Sequence, residues 1–307
     1  MKTPFFSIII PTFNQSSFLQ KALKSVFNQT FKNFEVIVVD NNSKDGTKKV
    51  VKSFNKIVYR NINNEGIISK SRNLGLKISR GKWIAFLDSD DFWDKDKLKI
   101  SYNLIKTKKF DVICHNEWVQ SLFNITKKKK IYSYGPFSKD FYKKMLLYGN
   151  RTSTSATIVK KQFLNKYKLK FEENKFFITS EDYSFFLHIA NLNGVFIFLN
   201  KPLGYHTFHK KSMSYNYKRH MKSKMKVLKY HTFKVQTFEK NKQLLFDQIK
   251  SINDIKNSLL NLRKGYFIKK NIKILLNHTY VNPILTFKYF FLLLKLYIKQ
   301  RLIVFLY

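Results

Sequence analysis

The sequence predicts an α/β protein in which helices cover both faces of a mostly parallel sheet, followed by a helical C-terminal extension. Short apolar runs alternate with stretches of helical periodicity over the first 115 residues, and clusters of turn-forming residues separate them. Repeated β-α units of this length are typical of parallel sheets covered by helices. After about residue 215 the composition changes to lysine-rich helical segments, which indicates where the extension begins.

The order of strands and helices follows from the hydrophobic pattern. An apolar run at 7–11 predicts the first strand, and apolar positions at helical spacing between Phe18 and Phe27 predict the next helix. Further strands are predicted at 34–39, 57–59 and 82–87, and further helices at 47–54 and 68–78. Because ligands bind at the carboxyl ends of such strands, the residues that follow them are expected to form the site.

Length and charge limit the classes of protein that fit. With 307 residues and 44% hydrophobic side chains, the chain can form one catalytic domain and an extension. Its 58 basic and 19 acidic residues give a net charge of +39, which attracts phosphates, nucleic acid and anionic membranes alike. The single cysteine, Cys114, excludes a disulfide framework and a cysteine metal cluster, and it is expected to be a small buried side chain.

Three carboxylates, those of Asp88, Asp90 and Asp91, directly follow the apolar run at 83–87. They are therefore expected at the carboxyl end of a buried strand. Magnesium and manganese are usually held by one or two carboxylates together with substrate phosphates and water. Asp88 and Asp90 are the predicted ligands of Mn²⁺ or Mg²⁺. Taken alone, such a pair also fits a solvated acidic turn before the helix that is expected near Lys97.

Four segments, in this order and spacing, resemble the signatures of family 2 glycosyltransferases. They are Ser7–Asn14, Val38–Thr47, Ser71–Leu76 and Phe86–Asp91. The resemblance is strong over residues 5–115 and weaker to about 215. It implies a catalytic domain over 1–215 with the GT-A fold, which has a Rossmann-like sheet. The implied reaction is metal-dependent, inverting transfer of a hexosyl or N-acetylhexosaminyl group from a nucleotide-sugar.

The resemblance also implies which residues bind the nucleotide-sugar. Asp40 follows the second strand, where a carboxylate can accept the imide N–H of uracil, so a UDP-linked donor is favoured. Asn41 and Asn42 follow it, whereas the family more often has a second acid at this turn. Aspartate and asparagine there also suit turn formation alone. The implied donor-binding residues are Pro11, Thr12, Asn14, Asp40, Arg72, Asp88, Ser89 and His209. An arginine on a helix, such as Arg72, also fits a solvated surface charge.

Two later segments resemble further family motifs. Thr179–Leu187 resembles the Glu-Asp motif, which implies Asp182 as the catalytic base and Glu181 as the weaker candidate. Acids at a helix start also stabilise the helix dipole, which is the structural alternative. Gly204–Ser214 resembles a segment with an arginine and, three residues later, a histidine that contacts the diphosphate or metal. His206 stands at the arginine position, and His209 matches the histidine. A lone histidine also fits a local hydrogen bond with the backbone, which is the structural alternative for His209.

The extension, residues 216–307, is predicted to be basic, helical and membrane-associating. In the segment 282–307, Lys288, Lys295 and Lys299 fall on one narrow stripe of an otherwise apolar helix. The longest charge-free run there is too short to span a bilayer, so a helix lying on an anionic membrane surface is expected. A core-packing helix or a homodimer interface is the alternative. Without a recognisable secretory signal, a peripheral location on the cytoplasmic face of the membrane is predicted.

The predicted function is sugar transfer onto a glycan acceptor, with a lipid-linked acceptor favoured. The expected pathways are assembly of cell-surface polysaccharide, lipooligosaccharide or glycoprotein glycans. A nucleic-acid-binding protein would explain the charge, but the acidic clusters would repel phosphate and no recognised motif is present, so no nucleic-acid partner is expected. A sugar nucleotidyltransferase would share the architecture, yet it normally carries a glycine-rich basic loop, which 11–14 is not.

Overall fold

The computed structural model describes residues 3–122, 130–135, 139–210 and 212–263, together with residues 287 and 291. The chain forms two compact units. The first comprises residues 1–142 and 150–227, and the second comprises 143–149 and 228–307. The division at residue 215 into a catalytic domain and an extension stays a prediction.

The first unit is built on one sheet, in which the described residues contribute nine strands. These are β1 (Phe6–Thr12), β2 (Phe34–Asp40), β3 (Ile57–Asn61), β4 (Trp83–Phe86), β5 (Phe92–Trp93), β6 (Val112–Ser121), β7 (Lys130–Tyr132), β8 (Thr157–Lys160) and β9 (Phe196–Phe208). Their spatial order is β3-β2-β1-β4-β8-β6-β9-β5, and β7 pairs with β6. The predicted α/β architecture is confirmed.

Strand direction divides the sheet into two parts. The four strands β3, β2, β1 and β4 are all parallel, as the alternating pattern predicts. Strand β8 then runs antiparallel between β4 and β6, while β6 and β9 are parallel to each other. The short edge strand β5 is antiparallel to β9. The parallel part therefore brings the carboxyl ends of β1, β2 and β4 to one edge.

The helices of both units bury side chains that recur at helical spacing in the sequence. The helices are α1 (Ser16–Phe27), α2 (Thr47–Lys52), α3 (Ile68–Ile78), α4 (Lys97–Thr107), α5 (Phe141–Tyr148), α6 (Lys161–Lys166), α7 (Glu181–Asn191), α8 (Tyr217–Tyr230) and α9 (Lys242–Arg263). Helix α1 buries Leu19, Ala22, Leu23 and Val26, which recur at helical spacing and pack on the core. The predicted helix at 68–78 is confirmed with these bounds.

The core of the first unit fills the space between the sheet and its helices. Strands β1, β2 and β4 are buried along almost their whole length, as expected for parallel strands covered on both faces. Helix α3 packs so closely on β1 that a Cβ at Gly75 would lie 2.4 Å from Cγ2 of Ile9. Cys114 is buried in β6, as predicted.

The described part of the second unit is helical. Helix α9 packs Ile252 and Ile255 against Leu147 and Tyr148 of α5. Among the described residues, no helix combines the length and apolar character that a membrane crossing requires. The predicted interfacial helix at 282–307 lies outside the described residues, apart from the helical positions 287 and 291, and stays a prediction.

Candidate active site

The site lies where the parallel strands end. Thr12 at the end of β1 is in register with Asp40 at the end of β2. Asp88 follows β4 by two residues, and the amide of Leu87 still donates to the carbonyl of Ile9 at 3.0 Å. The polar residues after three neighbouring strands therefore share one edge of the sheet, where the sequence pattern predicts a ligand site.

Asn14 joins the loop after β1 to the turn after β2. Its amide N–H donates to Oγ of Ser43 at 2.8 Å, and its Oδ1 accepts from the amide of Lys44 at 2.7 Å. The backbone of Asn14 has φ 49°, a left-handed conformation that asparagine tolerates. Thr12 is buried, and its hydroxyl has no hydrogen-bond partner in the described part of the chain. This hydroxyl is the group of the predicted nucleotide pocket that a ligand could satisfy.

The Asp40 carboxylate is buried and bonded on both oxygens. Oδ1 accepts from the amide and the hydroxyl of Ser43, at 3.1 and 2.5 Å, and Oδ2 accepts from the Tyr59 hydroxyl at 2.7 Å. Burial, followed by the Asp40 charge, raises the pKa of Tyr59 to about 12, so this hydroxyl remains a donor at neutral pH. Because each carboxylate oxygen can accept two hydrogen bonds, Oδ2 could accept one more, for example from a nucleotide base. The predicted base contact stays a prediction.

The acidic turn after β4 presents two carboxylates with different partners. Asp88, whose side chain is 30% exposed, accepts from Arg72 at 2.8 Å. Asp90 Oδ2 lies 3.0 Å from Nε2 of His209, whose ring stacks on Phe18 with 4.5 Å between ring centroids. The structure thus brings His209 to Asp90, one of the predicted metal ligands.

Ser89 has its side-chain partner outside the acidic turn. Its hydroxyl donates to Oε1 of Gln15 at 2.5 Å. Gln15 is the residue that precedes α1. Ser89 therefore joins the acidic turn to the start of α1, and its predicted contact with the nucleotide-sugar stays a prediction.

Arg72 connects the acidic turn to the Glu-Asp helix. Its side chain is 3% exposed, and its two terminal nitrogens donate to Asp88 Oδ1 at 2.8 Å and to Glu181 Oε1 at 2.7 Å. Burial alone would lower the pKa of Arg72, but the carboxylates of Asp88 and Glu181 raise it, so the guanidinium stays charged. Both nitrogens are thus directed at protein carboxylates, while the implied contact with donor phosphates stays a prediction.

Asp182 lies in the first turn of α7, next to Glu181. Burial raises the pKa of Asp182 to about 7, the Glu181 charge adds to this effect, and Arg72 opposes it. A carboxylate that titrates near neutral pH is suited to general-base chemistry. The start of α7 thus has the electrostatic environment expected of a base, and the assignment of Asp182 stays a prediction.

The backbone before α7 is unusual. Thr179 has φ 80°, a conformation that β-branched residues rarely adopt. Its carbonyl accepts a hydrogen bond from Nδ1 of His220 at 2.8 Å. Strained residues held by their surroundings cluster at functional sites, which agrees with the position of this one beside Glu181.

Asn150 is a residue of this site that the sequence does not predict. Asn150 lies 32 positions before Asp182, and its Nδ2 approaches Oδ2 of Asp182 at 3.5 Å. Because the amide and hydroxyl of Thr152 occupy Oδ1 of Asn150, the amide nitrogen is the end that faces Asp182. No motif in the sequence marks this residue, since only the fold brings it to α7.

His206, which stands where the family has an arginine, lies next to a buried carboxylate. His206 Nδ1 lies 3.6 Å from Oδ2 of the buried Asp91. Burial alone would lower the pKa of His206, but the Asp91 carboxylate raises it to about 10. The Asp91 carboxylate therefore favours the charged form of His206.

The acidic turn fits a divalent metal ion that binds together with a diphosphate. Asp88 and Asp90 each have a carboxylate oxygen outside the contacts with Arg72 and His209. Within the residues that the structure describes, no three acidic, histidine or cysteine side chains form a complete metal cage. Magnesium and manganese usually complete their coordination with substrate phosphates and water. Two carboxylates are within the number of protein ligands that such a metal usually takes.

Residues 7–167 match the protein family described as glycosyl transferase family 2, which is more than half of the chain. The chain belongs to this family. The matched residues include β1 from its second residue onward, β2, β4 and the acidic turn, whereas the Glu-Asp helix and His209 of this family 2 protein follow the matched region.

Similar curated proteins differ in their sequence identity to this family 2 protein and in the share of each chain that aligns. An uncharacterized glycosyltransferase from Rickettsia conorii is 41% identical over 107 residues, which is 34% of this chain and 18% of the relative. The Escherichia coli UDP-Glc:alpha-D-GlcNAc-diphosphoundecaprenol beta-1,3-glucosyltransferase WfaP is 30% identical over 188 residues, covering 60% of this chain and 70% of WfaP. The chain thus spans less than a fifth of the length of the Rickettsia relative.

Solved structures support the predicted fold. TarS residues 1–349 from Staphylococcus aureus in complex with UDP-GlcNAc has a TM-score of 0.62 and 24% identity, over 81% of this chain and 72% of that one. The mannosyltransferase PcManGT from Pyrobaculum calidifontis in complex with GDP-Man and Mn²⁺ has a TM-score of 0.59 and 14% identity, over 96% and 81%. At these identities the likeness concerns the fold, and the predicted GT-A fold of this family 2 protein is confirmed.

Proposed function

We propose that this protein is a metal-dependent, inverting glycosyltransferase that moves a sugar from a nucleotide-sugar to a glycan acceptor. The observation that carries the proposal is the double contact of Arg72 with Asp88 and Glu181, at 2.8 and 2.7 Å. One buried guanidinium joins the acidic turn to the helix that begins with Glu181 and Asp182. Leaving-group stabilisation and proton removal, the two requirements of sugar transfer, thus have candidate residues side by side.

The proposed donor is a UDP-linked hexose or N-acetylhexosamine. Asp40 supports uracil as the base, because a carboxylate at the end of β2 can accept an imide N–H. The names of two similar proteins agree with this choice, since WfaP uses UDP-Glc and a TarS structure contains UDP-GlcNAc. Thr12 and Asn14 lie beside Asp40 at the same edge of the sheet and are the proposed walls of the nucleotide pocket.

Asp88 and Asp90 are the proposed ligands of Mn²⁺ or Mg²⁺. When bound, the metal would neutralise negative charge on the departing nucleoside diphosphate. His209, which lies against Asp90 and stacks on Phe18, is the proposed further contact of the same phosphates. The complex of PcManGT with GDP-Man and Mn²⁺ supports metal binding in proteins of this fold.

Asp182 is the proposed base. It accepts the proton of the acceptor hydroxyl while the new bond forms between that oxygen and the anomeric carbon. The bond from the anomeric carbon to the phosphate oxygen breaks on the opposite side, and both electrons leave with the diphosphate. A single displacement of this kind inverts the anomeric configuration. Glu181, held by Arg72, keeps a negative charge next to Asp182 and is the weaker candidate for the base.

A lipid-linked glycan on the cytoplasmic face of the membrane is the proposed acceptor. The name of WfaP supports this choice, because its acceptor is a sugar on diphosphoundecaprenol. The basic segment 210–226 and the lysines of 282–307 would attract the enzyme to anionic lipid. The proposed pathway is the assembly of surface polysaccharide, lipooligosaccharide or glycoprotein glycans.

The test is a screen of UDP-sugars for UDP release, with Mn²⁺ and with a lipid-linked acceptor. One UDP-sugar should give acceptor-dependent release that excess chelator abolishes. Asp90→Asn should lower turnover by at least about 10²-fold, the scale of removing one electrostatic stabiliser. Asp182→Asn should abolish transfer while donor affinity stays nearly unchanged, because the base acts on the acceptor.

The control is Asp247→Asn, which removes one exposed carboxylate of α9 that bonds to Gln243. It should leave turnover unchanged. Pyrophosphate release from a nucleoside triphosphate would identify a sugar nucleotidyltransferase instead. Salt-sensitive RNA binding without turnover of any nucleotide-sugar would identify a nucleic-acid-binding protein.

A further inference from the structure

Asp91, the third acid of the acidic turn, is buried in a different environment from Asp88 and Asp90. It is 2% exposed, and its Oδ1 accepts from the amide of Thr207 at 2.8 Å. Thr207 lies on β9, two residues before His209. The Asp91 carboxylate therefore bonds to the end of the strand that precedes His209, and His209 contacts Asp90 of the acidic turn.

Ser155 connects Asp91 to the backbone of Asp88. Its hydroxyl donates to Oδ2 of Asp91 at 2.6 Å and accepts from the amide of Asp88 at 3.1 Å. Ser155 is fully buried in the segment that leads into β8. The Ser155 hydroxyl thus links the backbone of Asp88 to the side chain of Asp91. Only a side chain that can both donate and accept a hydrogen bond can form this link.

The backbone of Ser155 is itself fixed by two donors. Its carbonyl accepts from Nζ of Lys97 at 2.7 Å and from Nε1 of Trp93 at 2.8 Å. The Lys97 ammonium also lies 3.7 Å from the centre of the Trp93 ring. Lys97 is fully buried, so this contact belongs to the interior beneath the site. These two hydrogen bonds hold the backbone of Ser155 in place beneath the acidic turn.

We propose that Asp91 and Ser155 are positioning residues for the metal site. Asp91 fixes the strand of His209, and Ser155 fixes the backbone of Asp88. Together they set the spacing between the carboxylates of Asp88 and Asp90 and the His209 ring. This inference rests on the proposed function, because it takes Asp88 and Asp90 as the metal ligands. Groups that orient metal ligands typically change metal affinity by about 10–100-fold when they are removed.

The experiment measures Mn²⁺ binding to the full chain in the presence of UDP, by electron paramagnetic resonance of free Mn²⁺. Asp91→Asn and Ser155→Ala should each weaken Mn²⁺ binding by about 10-fold. Asp90→Asn, which removes a ligand, should weaken it more. UDP binding without metal, measured by calorimetry, should stay unchanged in Asp91→Asn and Ser155→Ala. A role only in folding would instead weaken both kinds of binding.

The controls match the two changes in chemistry. Asp247→Asn removes an exposed carboxylate, and Ser53→Ala removes an exposed hydroxyl that bonds to a carbonyl of α2. Both should bind Mn²⁺ as the unmodified protein does. If Asp91→Asn does not fold, as judged by circular dichroism, Ser155→Ala decides the result.

Two outcomes overturn the inference in distinguishable ways. If Asp90→Asn weakens Mn²⁺ binding while Asp91→Asn and Ser155→Ala do not, the positioning role is wrong and the proposed function stands. If the unmodified protein binds no Mn²⁺ with UDP, or Asp90→Asn binds it normally, the proposed metal site is wrong and the inference falls with it.

Discussion

At the scale of single residues, the charge on Asp182 depends on two neighbours with opposite effects. Glu181 raises its pKa, and Arg72 lowers it. Burial is the largest effect and raises the pKa of Asp182. The Asp88 carboxylate, which also bonds to Arg72, raises this pKa by a smaller amount. The pKa of Asp182, about 7, thus reflects the opposing effects of Glu181 and Arg72. A substitution of either neighbour should therefore change the pH dependence of the reaction.

The pH profile should show a single acidic limb. Since the base must be ionised, kcat/KM should rise as the pH rises through about 7 and then level off. Glu181→Gln removes the neighbouring negative charge, so the pKa of Asp182 should fall and the limb should move to lower pH. Initial rates between pH 5 and 9 would measure this. A limb that does not move in Glu181→Gln would show that another group titrates.

Removal of Arg72 should destabilise the protein strongly. Arg72→Gln leaves the buried Glu181 carboxylate without its cation, and breaking one partner of a buried pair typically costs about 3–5 kcal/mol. Urea denaturation monitored by circular dichroism would give the free energy of unfolding. Glu181→Gln in the same chain should recover part of the loss, since the uncompensated charge is then absent. Additive effects of the two changes would contradict the contact.

At the scale of elements, much of the site could be predicted because apolar runs locate strand ends. The runs before Asp40 and Asp88 end as strands at one edge of the sheet, as expected from their pattern. The partners of Arg72 could not be predicted in the same way. Glu181 lies 109 residues later in the chain, and nothing local in either segment indicates that they bond.

Helix α3, which carries Arg72, approaches β1 closely at Gly75. Gly75→Ala would place a methyl group 2.4 Å from Cγ2 of the fully buried Ile9. Overpacking of this kind typically costs about 1–3 kcal/mol, and the shift of α3 should also lower turnover. Thermal unfolding and kcat would measure the two effects.

A second glycine provides the control for this change. A Cβ at Gly46 would make ordinary contacts of 3.6–3.7 Å with Ser16, and its backbone has φ −69°. Gly46→Ala should therefore leave the melting temperature and kcat close to those of the unmodified protein. Equal losses in Gly75→Ala and Gly46→Ala would show that the approach of α3 to β1 is not the cause.

At the scale of the whole molecule, composition is a poor guide to the position of individual charges. Lysine side chains are mostly exposed in proteins, yet Lys97 is fully buried under the acidic turn. The sequence predicts a helix that begins near Lys97, which is confirmed, but it contains no indication that this lysine faces inward. Its partner is the carbonyl of Ser155, and main-chain groups have no sequence signature.

Deletion of residues 282–307 should separate membrane binding from catalysis. If this segment is an interfacial helix, the full chain should sediment with anionic vesicles, less so at high salt, and the truncated chain should stay in solution. Transfer to a membrane-borne acceptor should slow, while turnover of a short soluble acceptor should be kept. A truncated protein that is insoluble or inactive on every acceptor would indicate a core or homodimer helix instead.

The strong lysine bias of this chain bears on which substitutions of Arg72 it can tolerate. Fifty-one of its basic residues are lysine and seven are arginine. Exchange of arginine for lysine is thus the substitution that this composition favours, and on the surface it changes little. At position 72 a lysine would offer one compact ammonium in place of a planar fork that reaches two separate carboxylates. Among variants that keep the net charge, Arg72→Lys should therefore be among the least tolerated.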